Sequence, residues 1–134
     1  MNTRVIISSV LFFLSFPPFN FWYLIFPSLF FFYSGILLSS KPFLSGLVFG
    51  AISFGVILFG IQSIGYEAWI PLSLLMGLLY GFYGKLFKFI AVKTNNNFFI
   101  LIGIISTFDL LRAYFPFGGF PWGSTSTVLI SGYR

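Results

Sequence analysis

Five apolar runs, separated by short polar segments, constrain the fold of this chain more than any other feature of its sequence. Each run has the composition of a buried or membrane-facing helix, whereas breaks such as "SSKP" and "KTNNN" have the length of turns. The runs predict helices at about residues 4–16, 19–38, 43–65, 68–92 and 98–115. Consecutive helices joined by such short turns are expected to pack antiparallel.

Composition places these helices in a membrane. Of the 134 residues, 58% are hydrophobic and 7% are charged, and the mean hydropathy is +1.02. A soluble domain has about 25% charged residues and rarely exposes a large apolar patch. Because the sequence contains no long linker and no polar segment of domain size, residues 1–134 are predicted to form a single all-α integral membrane domain.

The first two runs predict a short hairpin rather than two long spans. The run from Val5 to Phe16 is shorter than the roughly 20 residues that a helix needs to cross about 30 Å of hydrocarbon. Pro17 and Pro18 end it, and Pro27 is expected to kink or break the second helix because proline has no N–H to donate. About five transmembrane or partly re-entrant helices are therefore expected.

The charged residues predict an orientation. If each run crosses the membrane once, five basic residues lie on one side, and two basic residues and both acids lie on the other. The basic side holds Arg4, Lys41, Lys85, Lys88 and Lys93, and the opposite side holds Glu67, Asp109, Arg112 and Arg134. Cytoplasmic loops carry the excess of lysine and arginine, so the N-terminus is predicted to be cytoplasmic. Basic residues scattered between apolar runs do not form a nucleic-acid-binding surface, and no nucleic-acid partner is expected.

The sequence contains no cysteine and no histidine. It therefore has no disulfide, no thiolate or imidazole metal ligand and no thioester-forming nucleophile. Glu67 and Asp109 are its only carboxylate side chains, and nothing in the sequence brings them together as an acid–base pair. No catalytic residue, metal ion or cofactor is predicted within these residues.

Two pairs of glycines predict close packing of helices. Gly46 and Gly50 lie in the third run, and Gly77 and Gly81 lie in the fourth. Small residues four apart form a flat strip on which another helix backbone can approach closely. A smooth face for lipid tails is the alternative role for these glycines.

Asp109 and Arg112 are three residues apart, so they share one face of the fifth helix near its end. Ionisable groups at membrane depth are usually paired, and they point into a helix bundle or a wet cavity. Two interpretations follow. The pair is either a structural ion pair that fixes the helix end, or a site that positions a polar headgroup or a partner.

The stretch "FPFGGFPWGS" follows this pair and cannot continue a helix. It contains Gly118, Gly119, Phe120, Pro121 and Trp122. Its glycines indicate positive φ angles or close backbone contact, and its prolines rigidify the turn. An outward-facing aromatic loop is predicted at residues 116–126, and a further segment is predicted to start at 127–134.

These motifs resemble those of the apolipoprotein N-acyltransferase family. "DLLRAYFPFGGFPW" followed by "SGYR" is similar to the Glu-x-Leu-Arg, Gly-Phe-Pro-Trp and Gly-Tyr elements in the membrane part of that family. "LSFPPFNFWYLIFPSL" resembles its opening hairpin, and the resemblance runs over essentially the whole sequence. Asp109 stands where the family usually has glutamate, and "FGIQSI" lacks the tryptophan and tyrosine that usually end the third helix.

The resemblance implies a ping-pong acyl transfer at the bacterial inner membrane. In the family, a cysteine thiolate of a nitrilase-like domain takes an acyl chain from a phospholipid and passes it to the α-amine of a diacylglyceryl-cysteine lipoprotein. That domain, with its Glu-Lys-Cys triad, is absent from the sequence, so a truncated or separately encoded membrane part is expected. The implied partners are membrane phospholipid, apolipoprotein and that nitrilase-like domain.

The resemblance also implies a location for the site. Asp109, Arg112 and the loop from Gly118 to Trp122 are expected beside the lipid entrance, where the nitrilase-like domain would dock. One alternative is a small transport or vitamin-uptake subunit, which needs polar side chains facing a cavity at the midplane. Another is a non-catalytic remnant. The polar candidates for a transport cavity are Ser53, Gln62, Ser63, Ser73, Ser106 and Thr107.

Overall fold

The structure is a computed structural model that describes residues 3–59, 65–115 and 124–132. In these ranges the chain forms helices and no strand, which confirms the predicted all-α class. The helices are α1 (Thr3–Leu14), α2 (Ile25–Leu38), α3 (Pro42–Ile57), α4 (Tyr66–Lys93), α5 (Phe98–Tyr114) and α6 (Thr125–Gly132), and a 3-10 turn, Trp22–Leu24, precedes α2.

The first two helices pack side by side. After α1 the chain turns through Asn20, which has a positive φ of 54°, and α2 returns along α1. The buried hydroxyl of Ser8 donates to the Ser28 carbonyl at 2.8 Å, and the Ser28 hydroxyl donates to the Ser8 carbonyl at 3.0 Å. Each serine thus satisfies a buried polar group of the other helix, which joins the two helices without burying an unpaired hydroxyl.

The kink expected at Pro27 is wrong. The helix α2 begins at Ile25, so Pro27 is its third residue and lies in its first turn. The first four N–H groups of a helix have no partner within that helix, so a proline there removes no hydrogen bond. The apolar run is divided before Pro27, where the 3-10 turn meets α2.

The helices α3 and α4 form the most extensive contact in the described part of the chain, and their glycines lie at that contact. A Cβ atom on Gly46 would collide with the Tyr80 carbonyl, and one on Gly50 would lie 2.7 Å from the Met76 carbonyl oxygen. On the other side, a Cβ atom on Gly77 would lie 3.2 Å from the Leu47 carbonyl oxygen. The prediction that glycine pairs let the helices approach closely is confirmed.

Polar residues define the turn between α4 and α5. Asn95 and Asn96 adopt positive φ angles of 51° and 57°, a conformation that asparagine tolerates better than most residues. The side chain of Asn97 then accepts hydrogen bonds from the Phe99 N–H at 3.1 Å and the Ile100 N–H at 3.4 Å. This N-cap satisfies two of the N–H groups that would be unpaired at the start of α5.

An aromatic core lies between the first four helices. The rings of Phe32 and Phe49 have their centroids 4.2 Å apart, and those of Phe12 and Phe49 are 5.2 Å apart in an edge-on arrangement. The rings of Tyr80 and Phe54 are 5.5 Å apart. Such pairs contribute about 0.5–1.5 kcal/mol each beyond the burial of their area, so phenylalanine supplies much of the packing here.

The outer surface of the described helices is strongly apolar. Among the described residues, α4 alone is long and apolar enough to cross a membrane, while α1, α3 and the segment Trp22–Leu38 are shorter apolar helices. In α5, Arg112 is the one buried residue, and Phe99 is 82% exposed. An apolar face of this size normally meets lipid or another apolar surface. The number of spans stays a prediction.

Candidate functional site

The guanidinium of Arg112 is buried near the end of α5. The residue is 3% exposed, and its Nη2 atom lies 3.6 Å from Oδ1 of Asp109, one turn earlier on the same helix. Asp109 keeps 30% of its side chain exposed. The two residues therefore form the ion pair that their spacing predicted, with the cation inside and the anion near the edge.

Tyr80 and Phe54 contact the guanidinium from other helices. The Arg112 Nη1 atom donates a hydrogen bond to the Tyr80 hydroxyl at 3.1 Å. The guanidinium carbon also lies 5.5 Å from the centroid of the Phe54 ring and 5.9 Å from that of Tyr80. A cation over an aromatic ring is attracted by the ring quadrupole, and this attraction grows when water is excluded. The charge is thus held by α3, α4 and α5 together.

Asp109 connects α5 to α6. Its second carboxylate oxygen, Oδ2, accepts a hydrogen bond from the hydroxyl of Thr125 at 2.6 Å. A hydrogen bond to a charged group is shorter and stronger than one between neutral groups. We call the five residues the arginine cluster: Phe54, Tyr80, Asp109, Arg112 and Thr125.

A second group of rings lies beside the arginine cluster. The ring of Tyr83 stacks on Phe108 with centroids 3.9 Å apart, and the ring of Tyr80 meets Phe108 edge-on at 5.2 Å. The hydroxyls of Tyr33 and Tyr83 are 3.0 Å apart and share a hydrogen bond. These contacts bring α2, α4 and α5 together next to the buried charge.

The arginine cluster can hold parts of the chain in position, but its side chains are not arranged for a chemical reaction. Arg112 is a hydrogen-bond donor with no acceptor atom, and Asp109 is engaged by both Arg112 and Thr125. Glu67 lies in the exposed first turn of α4, about 20 Å along that helix from Tyr80. The two carboxylates therefore do not form an acid–base pair.

The structure describes only some of the predicted site residues. It brings Asp109 and Arg112 into contact. The loop residues predicted to lie beside them fall outside the described residues; they are Gly118, Gly119, Phe120, Pro121 and Trp122. Both described ends of that segment are nonetheless joined, because Thr125 after it bonds to Asp109 before it.

The sequence did not predict that Phe54, Tyr80 and Thr125 contact the ion pair. One signal for Tyr80 was available, because it follows Gly77 by three residues and so shares the helix face that carries the small residues. A buried arginine also requires acceptors, and a tyrosine on such a face is a suitable one. Nothing in the sequence marks Phe54 among 22 phenylalanines.

The fold and the cluster together define an α-helical bundle with an apolar exterior, in which Asp109 pairs with the buried Arg112. Comparison with known families gives a more specific assignment. The family model for the apolipoprotein N-acyltransferase N-terminal domain matches residues 8–133. The chain belongs to this family.

A curated relative agrees with this assignment. An apolipoprotein N-acyltransferase of Aquifex aeolicus (strain VF5) is 32% identical over 133 residues. The match covers 87% of this chain and 27% of the relative, so the chain spans about a quarter of that protein's length. No solved structure matches the chain.

Proposed function

We propose that this chain is the membrane part of an apolipoprotein N-acyltransferase, the class of enzyme that moves an acyl group from a phospholipid to the N-terminal diacylglyceryl-cysteine of a lipoprotein. The match to the family model over residues 8–133 carries the proposal. The sequence contains no cysteine, so the thioester step belongs to residues of a nitrilase-like domain outside these 134.

In this role the helices embed in the bacterial inner membrane as a multi-pass domain with the N-terminus in the cytoplasm. The apolar outer surface supports this placement, because an exterior that carries rings such as Phe30, Phe82 and Phe89 is stable against lipid tails. The bundle binds phospholipid at its sides, and apolipoprotein and the nitrilase-like domain are its further partners.

The arginine cluster serves to position the segment between α5 and α6. Arg112 is too deeply buried to reach a headgroup, which favours a structural ion pair over a direct lipid contact. By joining Thr125 to Asp109, the cluster sets the separation of the two ends of the segment that contains Gly118 to Trp122. That segment lies beside the lipid entrance in the proposed role, so the cluster acts on the reaction through the loop.

Lipoprotein acylation in the native host tests the proposal. Depletion of this protein is expected to leave lipoproteins with a free amine on the diacylglyceryl-cysteine, which mass spectrometry of their N-terminal peptides detects. Restoring the native gene is expected to restore the acyl group, whereas an Arg112→Gln gene restores it less well at equal protein level. Lys93→Gln is the matched control, since Lys93 ends α4 away from the cluster.

Unchanged acylation after depletion would contradict the proposed function and would favour the non-catalytic remnant. The observation that favours the transport alternative is the buried hydroxyl of Ser53, which has no hydrogen-bond partner in the described part of the chain. Among its described candidate residues, the Ser73 hydroxyl donates to the Trp69 carbonyl and the Thr107 hydroxyl donates to the Gly103 carbonyl. Both hydroxyls are thus satisfied within their own helices.

A further inference from the structure

A cavity of about 580 Å³ opens where α2 ends and α3 begins. Half of its lining is polar and half is apolar. The polar residues are Ser39, Ser40, Lys41 and Ser45, and the apolar residues are Val5, Leu38, Leu44 and Val48. A lining divided in this way suits a ligand that has both a polar and an apolar part.

Hydrogen bonds hold the polar rim of this cavity in place. The hydroxyls of Ser39 and Ser45 are 2.7 Å apart, and the Lys41 N–H donates to the Ser39 hydroxyl at 3.1 Å. The Lys88 ammonium, from α4, donates to the Ser39 carbonyl. An ammonium has three donors, so this contact fixes the position of the charge and leaves donors for a ligand.

Several basic residues of the described chain lie at this end of the bundle. Arg4 lies against Gly35 near the end of α2, and Gly84 of α4 lies against Pro42, which follows Lys41. Lys85 is therefore at the same end, but it lines a separate groove with Phe82, Leu86 and Phe89. The cavity, which Lys41 lines, is thus at a positively charged end of the bundle.

Neither acidic side chain of the protein is available to pair with Lys41 or Lys88. The sequence has two acids, Glu67 and Asp109. Glu67 lies in the first turn of α4, about 30 Å along that helix from Lys88. Asp109 is bound by Arg112 and Thr125. The positive charge of Lys41 and Lys88 therefore attracts an anionic ligand.

We propose that the cavity binds the headgroup phosphate of an anionic phospholipid of the cytoplasmic leaflet. This inference rests on the membrane insertion in the proposed function, but it concerns the end of the bundle where α2 meets α3 rather than the arginine cluster. Lys41 and Lys88 pair with the phosphate, the Ser40 hydroxyl adds a donor, and Val5 and Leu38 contact the glycerol and the first methylenes. The apolar half of the lining is the reason for a lipid, because a free phosphate would leave it in contact with water.

Reconstitution tests insertion and headgroup preference separately. The full chain is placed in bilayer nanodiscs of neutral phosphatidylcholine, and phosphatidylglycerol is then added in steps while the thermal unfolding midpoint is followed. We expect insertion into the neutral bilayer and a saturable rise of the midpoint with phosphatidylglycerol. Inorganic phosphate added to the neutral nanodiscs is expected to have no effect, and an equal effect would overturn the assignment to a lipid.

Matched lysine variants distinguish a built site from diffuse attraction. A lysine near an anionic surface contributes about 1 kcal/mol, so Lys41→Gln is expected to weaken the apparent affinity for phosphatidylglycerol roughly fivefold. Lys41→Arg keeps the charge and is expected to keep the affinity. Lys85→Gln removes the same charge from the same end outside the cavity, and a smaller loss is expected.

Each contrary outcome has a distinct meaning. Equal losses for Lys41→Gln and Lys85→Gln would overturn the site in favour of diffuse surface attraction. Insertion without any response to phosphatidylglycerol would overturn the site and leave the proposed function intact. Failure of the chain to insert into neutral bilayers would contradict both.

Discussion

The burial of Arg112 depends on groups from helices that are distant in the sequence. Its charge is balanced by Asp109 on its own helix, but the Tyr80 hydroxyl comes from α4 and the Phe54 ring from α3. Removing one partner of a buried charge is expensive because the remaining charge stays out of water. The contribution of each partner to stability can therefore be measured with substitutions that remove a single polar group.

Removing the Tyr80 hydroxyl is expected to destabilise the bundle more than removing the Tyr33 hydroxyl. Tyr80→Phe deletes the acceptor of the hydrogen bond from Arg112, and hydrogen bonds to charged groups contribute about 1.5–3 kcal/mol. Tyr33→Phe deletes a bond between two neutral hydroxyls, for which about 1 kcal/mol is expected. Reversible unfolding in mixed micelles, followed by circular dichroism, compares the two. Equal losses would contradict a special role for the arginine contact.

Removing the Thr125 hydroxyl is expected to loosen α6. Thr125→Val keeps the shape of the side chain but deletes the donor to Asp109 Oδ2. Cleavage of the α5–α6 connection by a protease is expected to accelerate several-fold, because the two ends are no longer joined. The control is Thr127→Val, which deletes only a contact with Ser124. Similar cleavage rates in the two variants would show that the Asp109 contact does not hold α6.

At the level of helices, the contact between α3 and α4 illustrates what spacing can predict. Glycines four apart lie on one side of a helix by geometry, so a close approach was expected before the partner helix was known. The helix boundaries were predicted less accurately from the sequence. The α2 helix begins at Ile25 and not at residue 19, because the turn after α1 uses the intervening residues to bring α2 back along α1.

A methyl group at Gly46 is expected to destabilise the chain, whereas one at Gly55 of the same helix is not. The Gly46 methyl would meet the Tyr80 carbonyl, which belongs to a helix backbone and cannot yield, so a loss of about 1–3 kcal/mol is expected. No atom lies within 4 Å of a Cβ on Gly55, so Gly55→Ala is expected to gain up to about 1 kcal/mol from helix propensity. The unfolding free energies of Gly46→Ala and Gly55→Ala in mixed micelles test this prediction. A neutral Gly46→Ala would contradict the close approach of α3 and α4.

For the whole molecule, the distribution of charge predicts an orientation in the membrane, and this orientation can be tested. Arg4, Lys41 and Lys88 gather at the end where α2 meets α3, whereas Glu67 lies at the start of α4. The excess of basic residues marks the cytoplasmic side. The absence of native cysteine makes single-cysteine labelling unambiguous.

Single-cysteine variants are expected to report opposite sides of the membrane. Both Ser40 and Glu67 are exposed, so substitution by cysteine at either position leaves the core unchanged. In spheroplasts, a membrane-impermeant maleimide is expected to label Glu67→Cys directly and Ser40→Cys only after permeabilisation. The reverse pattern would overturn the predicted orientation. Labelling of both sites without permeabilisation would contradict the multi-pass insertion.

The sequence by itself determined the helical class, the glycine contact surfaces and the pairing of Asp109 with Arg112. These features depend on composition and on spacings within one helix, which are local quantities. Only the tertiary structure decided that Phe54, Tyr80 and Thr125 belong to the arginine cluster, and that Lys88 bonds to Ser39 at the cavity that Lys41 lines. The physical reason is that these contacts join segments far apart in the chain, and their partners are chosen by the packing of whole helices.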